Sequence, residues 1–416
     1  MLSESGAGAV GGARPTLDPG RSDGENRRMT VLGHEPTTIR VLRSIHDVPA
    51  DQWDRCAGPG DPFTRHAFLA ALEDSGSASE RSGWHAQHLA VDDESGDLVA
   101  CAPLYLKDHS YGEYVFDWGW ADAYERAGGQ YYPKLQSAVP FTPATGRRLL
   151  VRPGARAELG DVLIAGMIQL AKRLDVSSVH VTYPTHEEWE RMAAAGMLPR
   201  LGQQYHWENK GYASFDDFLA ELRSRKRKAL RRERREVLEQ GIVMHTLNGD
   251  QIKPRHWDAF YQFYRDTSDR KWGHAYLNRE FFHRLHASMP ERVVLVLAEA
   301  EGAWVGGALN LLGADTLYGR YWGCAEPYKY LHFEACYYRA IDFAIERGLK
   351  WVEAGAQGPH KIQRGYLPRE TYSAHWIADP AFERAVARFL DDERDSVRYE
   401  MGARGRHSPF RDDDAG

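Results

Sequence analysis

The chain has 416 residues, 43% of them apolar, with 12 Trp, 21 Tyr and 15 Phe. That is about two to three ordinary domain lengths with ample core material, which excludes a disordered or fibrous chain. Its 53 basic and 59 acidic side chains leave a formal net charge of −6, so it is no polycation, and any nucleic-acid contact must be local.

The first 28 residues are rich in Gly, Ser and Ala and lack the apolar stretch of a signal peptide. They read as a disordered leader, with Met29 as a second candidate start. Pro62 to Leu72 carries a helical pattern. His88 to Leu106 reads as two strands joined by an acidic Gly turn. Val162 to Leu174 is a second helix, followed by the β-branched strand SSVHVTY. The same plan then recurs: a helix over Arg279 to Ser288, a hairpin over Val293 to Leu312, a helix over His332 to Arg347 and the strand LKWVEAG. This internal duplication predicts a mixed α/β layer fold built twice. The expected boundaries are a leader at 1–37, a first unit at 38–204, a connector at 205–245, a second unit at 246–400 and a frayed polar tail at 401–416. Apolar residues nowhere run long enough to cross a membrane, so no integral membrane segment is expected. Cys56, Cys101, Cys324 and Cys336 lie far apart without CxxC spacing, which argues against a zinc site or a disulfide framework and fits a reducing cytoplasm. The 18 His are dispersed and imply no metal.

The connector is strongly basic. Nine cations, Arg223, Arg225, Lys226, Arg227, Lys228, Arg231, Arg232, Arg234 and Arg235, accompany an apolar stripe from Phe215 to Leu238, and Gly241 suits a helix stop. One helix from Phe215 to Gly241 is expected. Glu221, Glu233, Glu236 and Glu239 can pair with some of the cations to make a salt-laced surface helix, and the remaining positive charge calls for a phosphate-bearing partner.

The run Trp351 to Pro368, WVEAGAQGPHKIQRGYLP, leaves an apolar strand, passes Gly355 and Gly358, and sets His360, Lys361 and Arg364 just before Gly365-Tyr366. Glycines there let backbone N–H groups approach a ligand, and clustered cations hold a phosphate or a developing oxyanion. A solvated basic turn is the alternative reading.

The duplicated halves, the basic helix and the motifs VFDWGWADAYERAGGQYYPKLQSAVPFTPATGRRLL, GRYWG and EAGAQGPHKIQRGYLP together resemble the FemAB-like branch of the GNAT superfamily, labelled peptidoglycan biosynthesis or recognition proteins, over Ile39 to Arg398. The resemblance implies a tandem GNAT-like fold that passes an acyl or aminoacyl group to an amine, with Lys361 near a donor or acceptor phosphate. Amide formation needs an uncharged amine, a polarised carbonyl and exclusion of water. Glu353 and Asp117, each in an apolar setting, are the candidate bases, with His360 and Tyr366 behind them. Either acid can instead be a structural partner of Arg320 or Arg364. Arg364, Arg320, Tyr321, Trp118, Tyr131, Tyr132 and Lys134 are the expected substrate contacts, in a cleft between the halves. Arg223, Arg227, Arg231, Arg232 and Arg234 are the expected grip on a polyanionic donor. That donor is aminoacyl-tRNA or acyl-CoA, with no bound cofactor. Arg320-Tyr-Trp-Gly323-Cys-Ala325 fits the coenzyme A pyrophosphate pattern but stands at a strand end, and the segment entering the next helix lacks glycine, which favours the tRNA donor. A conventional acyl-CoA enzyme and a non-catalytic binder of anionic ligands are the competing readings. No GxSxG elbow, Walker loop or HExxH is present. Oligomeric state is left open.

Overall fold

The computed structural model describes residues 28–31, 36–272, 275–356 and 358–411. Most of the expected leader lies outside the described residues, and Arg28–Val31 is a strand paired with Thr37–Leu42. The fold is mixed α/β, as the duplicated pattern predicts. A five-stranded sheet runs in the order Arg28–Val31, Thr37–Leu42, His88–Asp92, Leu98–Ala102 and Leu150–Val151. An eleven-stranded sheet spans both halves, in the order Val243–Asn248, Val293–Ala300, Ala303–Leu312, Thr316–Cys324, Trp351–Glu353, Leu198–Glu208, Leu367–Ile377, Ser178–Thr182, Lys134–Ser137, Tyr105–Lys107 and His85–Ala86.

The joint between the halves is Leu198–Glu208. It pairs antiparallel with Trp351–Glu353 on one side and with Leu367–Ile377 on the other, and the latter continues onto Ser178–Thr182. A strand from the first half thus sits inside the second half's sheet, so the halves share backbone hydrogen bonds as well as side-chain packing. The alternation in LPRLGQQYHWE is too polar to announce this strand.

Each half has one parallel strand pair beside its main helix. In the first, Leu135–Ser137 runs parallel to Val179–Val181 beside the helix Leu159–Arg173. That helix buries Leu163, Ile164, Met167 and Leu170, and a Cβ at Gly166 would meet Ile39 at 2.4 Å, so glycine is what lets it approach the smaller sheet. In the second, Thr316–Tyr318 runs parallel to Trp351–Glu353 beside the helical stretch from Leu331 to Glu346. One π-helical turn, Glu334–Tyr338, interrupts that stretch.

Two expectations about helices are corrected. The basic segment forms two helices, Phe215–Ala220 and Ser224–Glu239. The break falls where Leu222 bridges to Phe410 and the Arg223 N–H donates to the Pro409 carbonyl at 2.9 Å. The same contacts account for the far end of the chain: the last helix, Pro380–Gly405, continues past Gly402, and Phe410 packs edge-on against Phe218. The first predicted helix starts later, at His66, because Asp61 accepts from the Phe63 N–H at 2.8 Å and holds a turn there.

Candidate active site

Beyond Tyr318 the parallel pair of the second half separates. Thr316–Cys324 stays with Ala303–Leu312, while the chain after Glu353 stays with Leu198–Glu208 through Ala354 N–H to Tyr205 O at 3.1 Å and Tyr205 N–H to Gly355 O at 3.2 Å. A cleft of about 560 Å³ opens at this divergence. Tyr114, Phe116, Pro143 and Tyr183 wall it from the first half, and Tyr264, Arg320, Tyr321, His332, Cys336 and Tyr337 from the second. Its volume is that of a small-molecule site, and residues from both halves line it. In the first half the matching parallel pair carries a closed polar core: Gln136 donates to the Thr182 hydroxyl at 3.0 Å, and buried Arg148 donates to the Thr182 and Ala144 carbonyls.

Lys361 and His360 reach the cleft from the 3₁₀ turn Pro359–Arg364. Gly358 enters that turn at φ +101°, and a Cβ there would stand 2.3 Å from the His360 ring, so only glycine fits. Lys361 is 5% exposed. Its ammonium donates to the carbonyls of Ala354 and Gly355, the residues at which the sheet parts. Burial lowers its pKa to about 8. The His360 ring lies 3.0 Å from the Tyr337 hydroxyl, and burial, then Arg364 and Lys361, push its pKa below the ordinary value, so it is neutral at pH 7.

Arg320 and Tyr321 also line the cleft. Both donate to the Phe141 carbonyl, at 2.7 and 2.9 Å, and so pin the opposite wall. All but the last residue of the literal coenzyme A pattern, Arg320 to Ala325, lies in the strand Thr316–Cys324, and a Cβ at Gly323 would meet the Phe263 carbonyl at 2.1 Å. That glycine admits a neighbouring helix, Pro254–Trp272.

Arg364 and Tyr366 stand behind the cleft. Arg364 pairs with Glu233 of the basic helix at 2.8 Å, donates to the Tyr338 hydroxyl and the His360 carbonyl, and lies over the Phe333 ring at 3.4 Å. It braces the turn Pro359–Arg364 against two helices. Tyr366 is fully buried, its hydroxyl donating to the Tyr337 carbonyl. Arg234 is half-buried, paired with Glu334 at 3.0 Å and Asp342 at 2.6 Å and stacked on Phe215. Arg231 and Arg232 stay exposed, in pairs with Asp216 and Glu236, and Arg227 reaches the Ala220 carbonyl. Arg231 and Arg232, with Arg225, Lys226, Lys228 and Arg235 but without Arg227, form a basic surface concavity of about 640 Å³.

Asp117, Tyr131, Tyr132 and Lys134 come together away from the cleft wall. Lys134, fully buried, donates to Asp117 at 2.5 Å, Glu113 at 2.7 Å and Ser110 at 2.8 Å, while Tyr131 donates to Asp117 and Tyr132 touches Ser110. Burial opposes ionisation of Asp117, yet the Lys134 ammonium and His180 hold it well below the usual carboxylate range. A strongly acidic, ion-paired carboxylate accepts protons poorly at neutral pH. Trp118, next in sequence, is 45% exposed and forms an aromatic patch with Tyr111 and Phe116, of which Phe116 lines the cleft.

Glu353 opens onto a different recess. Burial raises its carboxyl from an ordinary 4.5 to about 8, against a lowering effect of Arg320. A folded-state pKa above the unfolded value contributes stability that is full below about pH 4.5 and lost as pH rises through about 8. Glu353→Gln, which cannot ionise, should therefore match wild type in thermal melts at pH 5 and exceed it at pH 9, by an amount on the order of a few kcal/mol. Identical pH dependence in the two proteins would contradict the assignment.

Sequence reasoning did not single out Tyr264, Asn310, His332, Cys336 or Tyr337 as cleft residues. The one available signal was the i, i+4 spacing of His332 and Cys336, which puts both on one helix face.

A family model described as FemAB-like, peptidoglycan biosynthesis/recognition, matches residues 44–412. The chain belongs to the FemAB-like family. Among solved structures, this FemAB-like protein is similar to FemX at a TM-score of 0.52 and 11% identity, covering 82% of this chain and 98% of that one. It is similar also to the C-terminal domain of a putative lysylphosphatidylglycerol synthetase from Agrobacterium fabrum, at 0.51 and 10%, covering 82% and 95%. A tandem GNAT protein from the clavulanic acid biosynthesis pathway aligns at 0.44 and 13%, covering 82% and 98%. A comparison with curated protein sequences finds no match. The mixed α/β fold is like that of FemX, and the family model's description places the FemAB-like chain in peptidoglycan biosynthesis or recognition. Among the described residues no helix is long and apolar enough to cross a membrane, and no group of His, Cys, Asp or Glu is placed to hold a metal.

Proposed function

We propose that this FemAB-like protein forms an amide in the cleft, moving an aminoacyl group from aminoacyl-tRNA to an amine of a peptide or cell-wall precursor. The observation that carries this reading is the Lys361 ammonium, set in the wall of an open cleft where the sheet parts. An ammonium has three N–H groups. Two are held by the Ala354 and Gly355 carbonyls, and the third, which no described residue accepts, can stabilise the oxyanion that develops as the amine attacks the donor ester. Neutral His360 takes the amine proton: with Nε2–H donating to Tyr337, Nδ1 is the acceptor. As the C–N bond forms and the ester C–O bond breaks, that proton passes to the departing ribose oxygen. Phe116 in the cleft wall, with Trp118 packed against it, offers stacking surface to the substrate.

Two features favour tRNA over acyl-CoA. The residues entering the helix, Glu326 to Leu331, contain no glycine loop, and Tyr330 stands at its N-cap with φ 62°. The exposed basic face of Ser224–Glu239 offers the local positive charge that a polyanion needs. Replacing Arg225, Arg231 and Arg232 by Gln should weaken tRNA binding and flatten the slope of log affinity against log salt by about two units. Arg234 is left in place because its ion pairs are internal. An unchanged slope, measured by filter binding at several salt concentrations, would remove the helix from donor recognition.

A further inference from the structure

On the sheet face turned toward the first half, a recess of about 530 Å³ lies apart from the catalytic cleft. Thr145, His206, Trp351, Glu353, Arg369 and Tyr372 line it. Its floor holds two polar groups without protein partners. The Glu353 residue is 8% exposed, and no described residue gives its carboxyl a hydrogen bond. The buried His206 Nε2 also lacks a partner among the described residues. The two stand 3.8 Å apart, too far for a hydrogen bond between them and close enough for one oxygen atom to bridge both. A buried imidazole nitrogen is nearly always satisfied, and leaving the His206 Nε2 without a partner is costly.

The charges at the rim are already engaged. Arg369 pairs with Glu208 at 3.0 Å and lies over the Trp351 ring at 4.5 Å. Glu370 accepts from the Tyr372 hydroxyl at 3.1 Å and faces Arg398 at 3.9 Å. What remains is a floor of one acid and one imidazole between aromatic walls, with no unpaired cation among the described lining residues to select a charged ligand. A carboxyl and an imidazole bridged by one hydroxyl, beside Trp351 and Tyr372, is a chemistry suited to a sugar ring.

We propose that this recess binds an uncharged, hydroxyl-bearing ligand of pyranose type, one hydroxyl bridging Glu353 and His206. The site is independent of the transfer reaction, so its test uses binding alone. The full chain is titrated with N-acetylglucosamine and, separately, with cadaverine, by saturation-transfer NMR at neutral pH. The sugar should receive saturation, and its affinity should fall about tenfold or more in Glu353→Leu, the loss expected for one or two hydrogen bonds. Glu353→Gln, which keeps a donor and an acceptor in the same shape, should bind within a few-fold of wild type and serves as the folded control. Trp351→Ala should weaken binding with the secondary-structure signal unchanged. Absence of sugar binding at millimolar concentration, equal affinity in wild type and Glu353→Leu, or preference for the diamine would each overturn the proposal.

Discussion

Lys361→Ala should lower turnover by about 10²–10³, the loss typical of deleting one oxyanion donor, while leaving the melting temperature close to wild type. The side chain ends at two backbone carbonyls in the wall of an open cleft, where water can replace the ammonium once it is gone. Lys361→Arg separates charge from shape. In wild type the protonated lysine is the active form, so activity should fall as pH rises through about 8. Arginine stays protonated across that range, so the variant should keep reduced activity without the alkaline fall. Steady-state rates from pH 6 to 10 make the comparison. A wild-type rate flat through pH 9, or full activity in Lys361→Ala, would take the residue out of the mechanism.

The largest effect on stability is expected at Lys134. Burial disfavours its charge, but Glu113 and Asp117, at 2.7 and 2.5 Å, more than compensate and raise its pKa. Lys134→Met leaves two carboxyl groups buried without a cation, which should cost about 3–5 kcal/mol. Glu113 is already pushed up to about 7 by burial and would be the first to take a proton. The combined change of Lys134→Met, Glu113→Gln and Asp117→Asn removes the charges together and should recover most of the loss. Denaturant melts of the single and triple variants decide it. A single variant as stable as wild type, or a triple variant no better than the single, would show that the cluster is not a mutually dependent ion network.

That cluster marks where sequence reading stops. Asp117 was legible as a candidate base between two aromatic residues, and Tyr131, Tyr132 and Lys134 as cleft candidates because their segment is dense in aromatics. Whether they face a cleft or close on one another depends on how the strands of the first half meet the strand Leu367–Ile377, some two hundred residues away, and no local pattern encodes that. Glu353 fails for a related reason. Strand alternation puts residues on opposite faces, but not which face belongs to the cleft. The local signals were sufficient elsewhere. The hairpin Val293 to Leu312 and the helix Arg279 to Ser288 fall where their periodicity puts them, and the Gly358 turn was readable from composition. The break at Leu222 was hidden because its cause, Phe410, comes from the far end of the chain.

Two connections tie the basic helix to the cleft. Arg364 and Tyr338 both bond Glu233, and Arg364 also holds the His360 carbonyl. A ligand on the exposed face of the helix therefore lies one side chain away from the turn that carries Lys361. In a tRNA-dependent transferase such a strut would keep the donor-binding face in fixed relation to the reacting ester.

The most direct measurement is transfer itself: bulk tRNA charged with labelled amino acids is incubated with the protein and an extract of envelope precursors, and base-stable, amide-linked label is counted. The account predicts label in an amide product with wild-type protein and its loss in Lys361→Ala. Transfer from acyl-CoA with none from charged tRNA would contradict the assigned donor, and no transfer from either would contradict an amide-forming cleft.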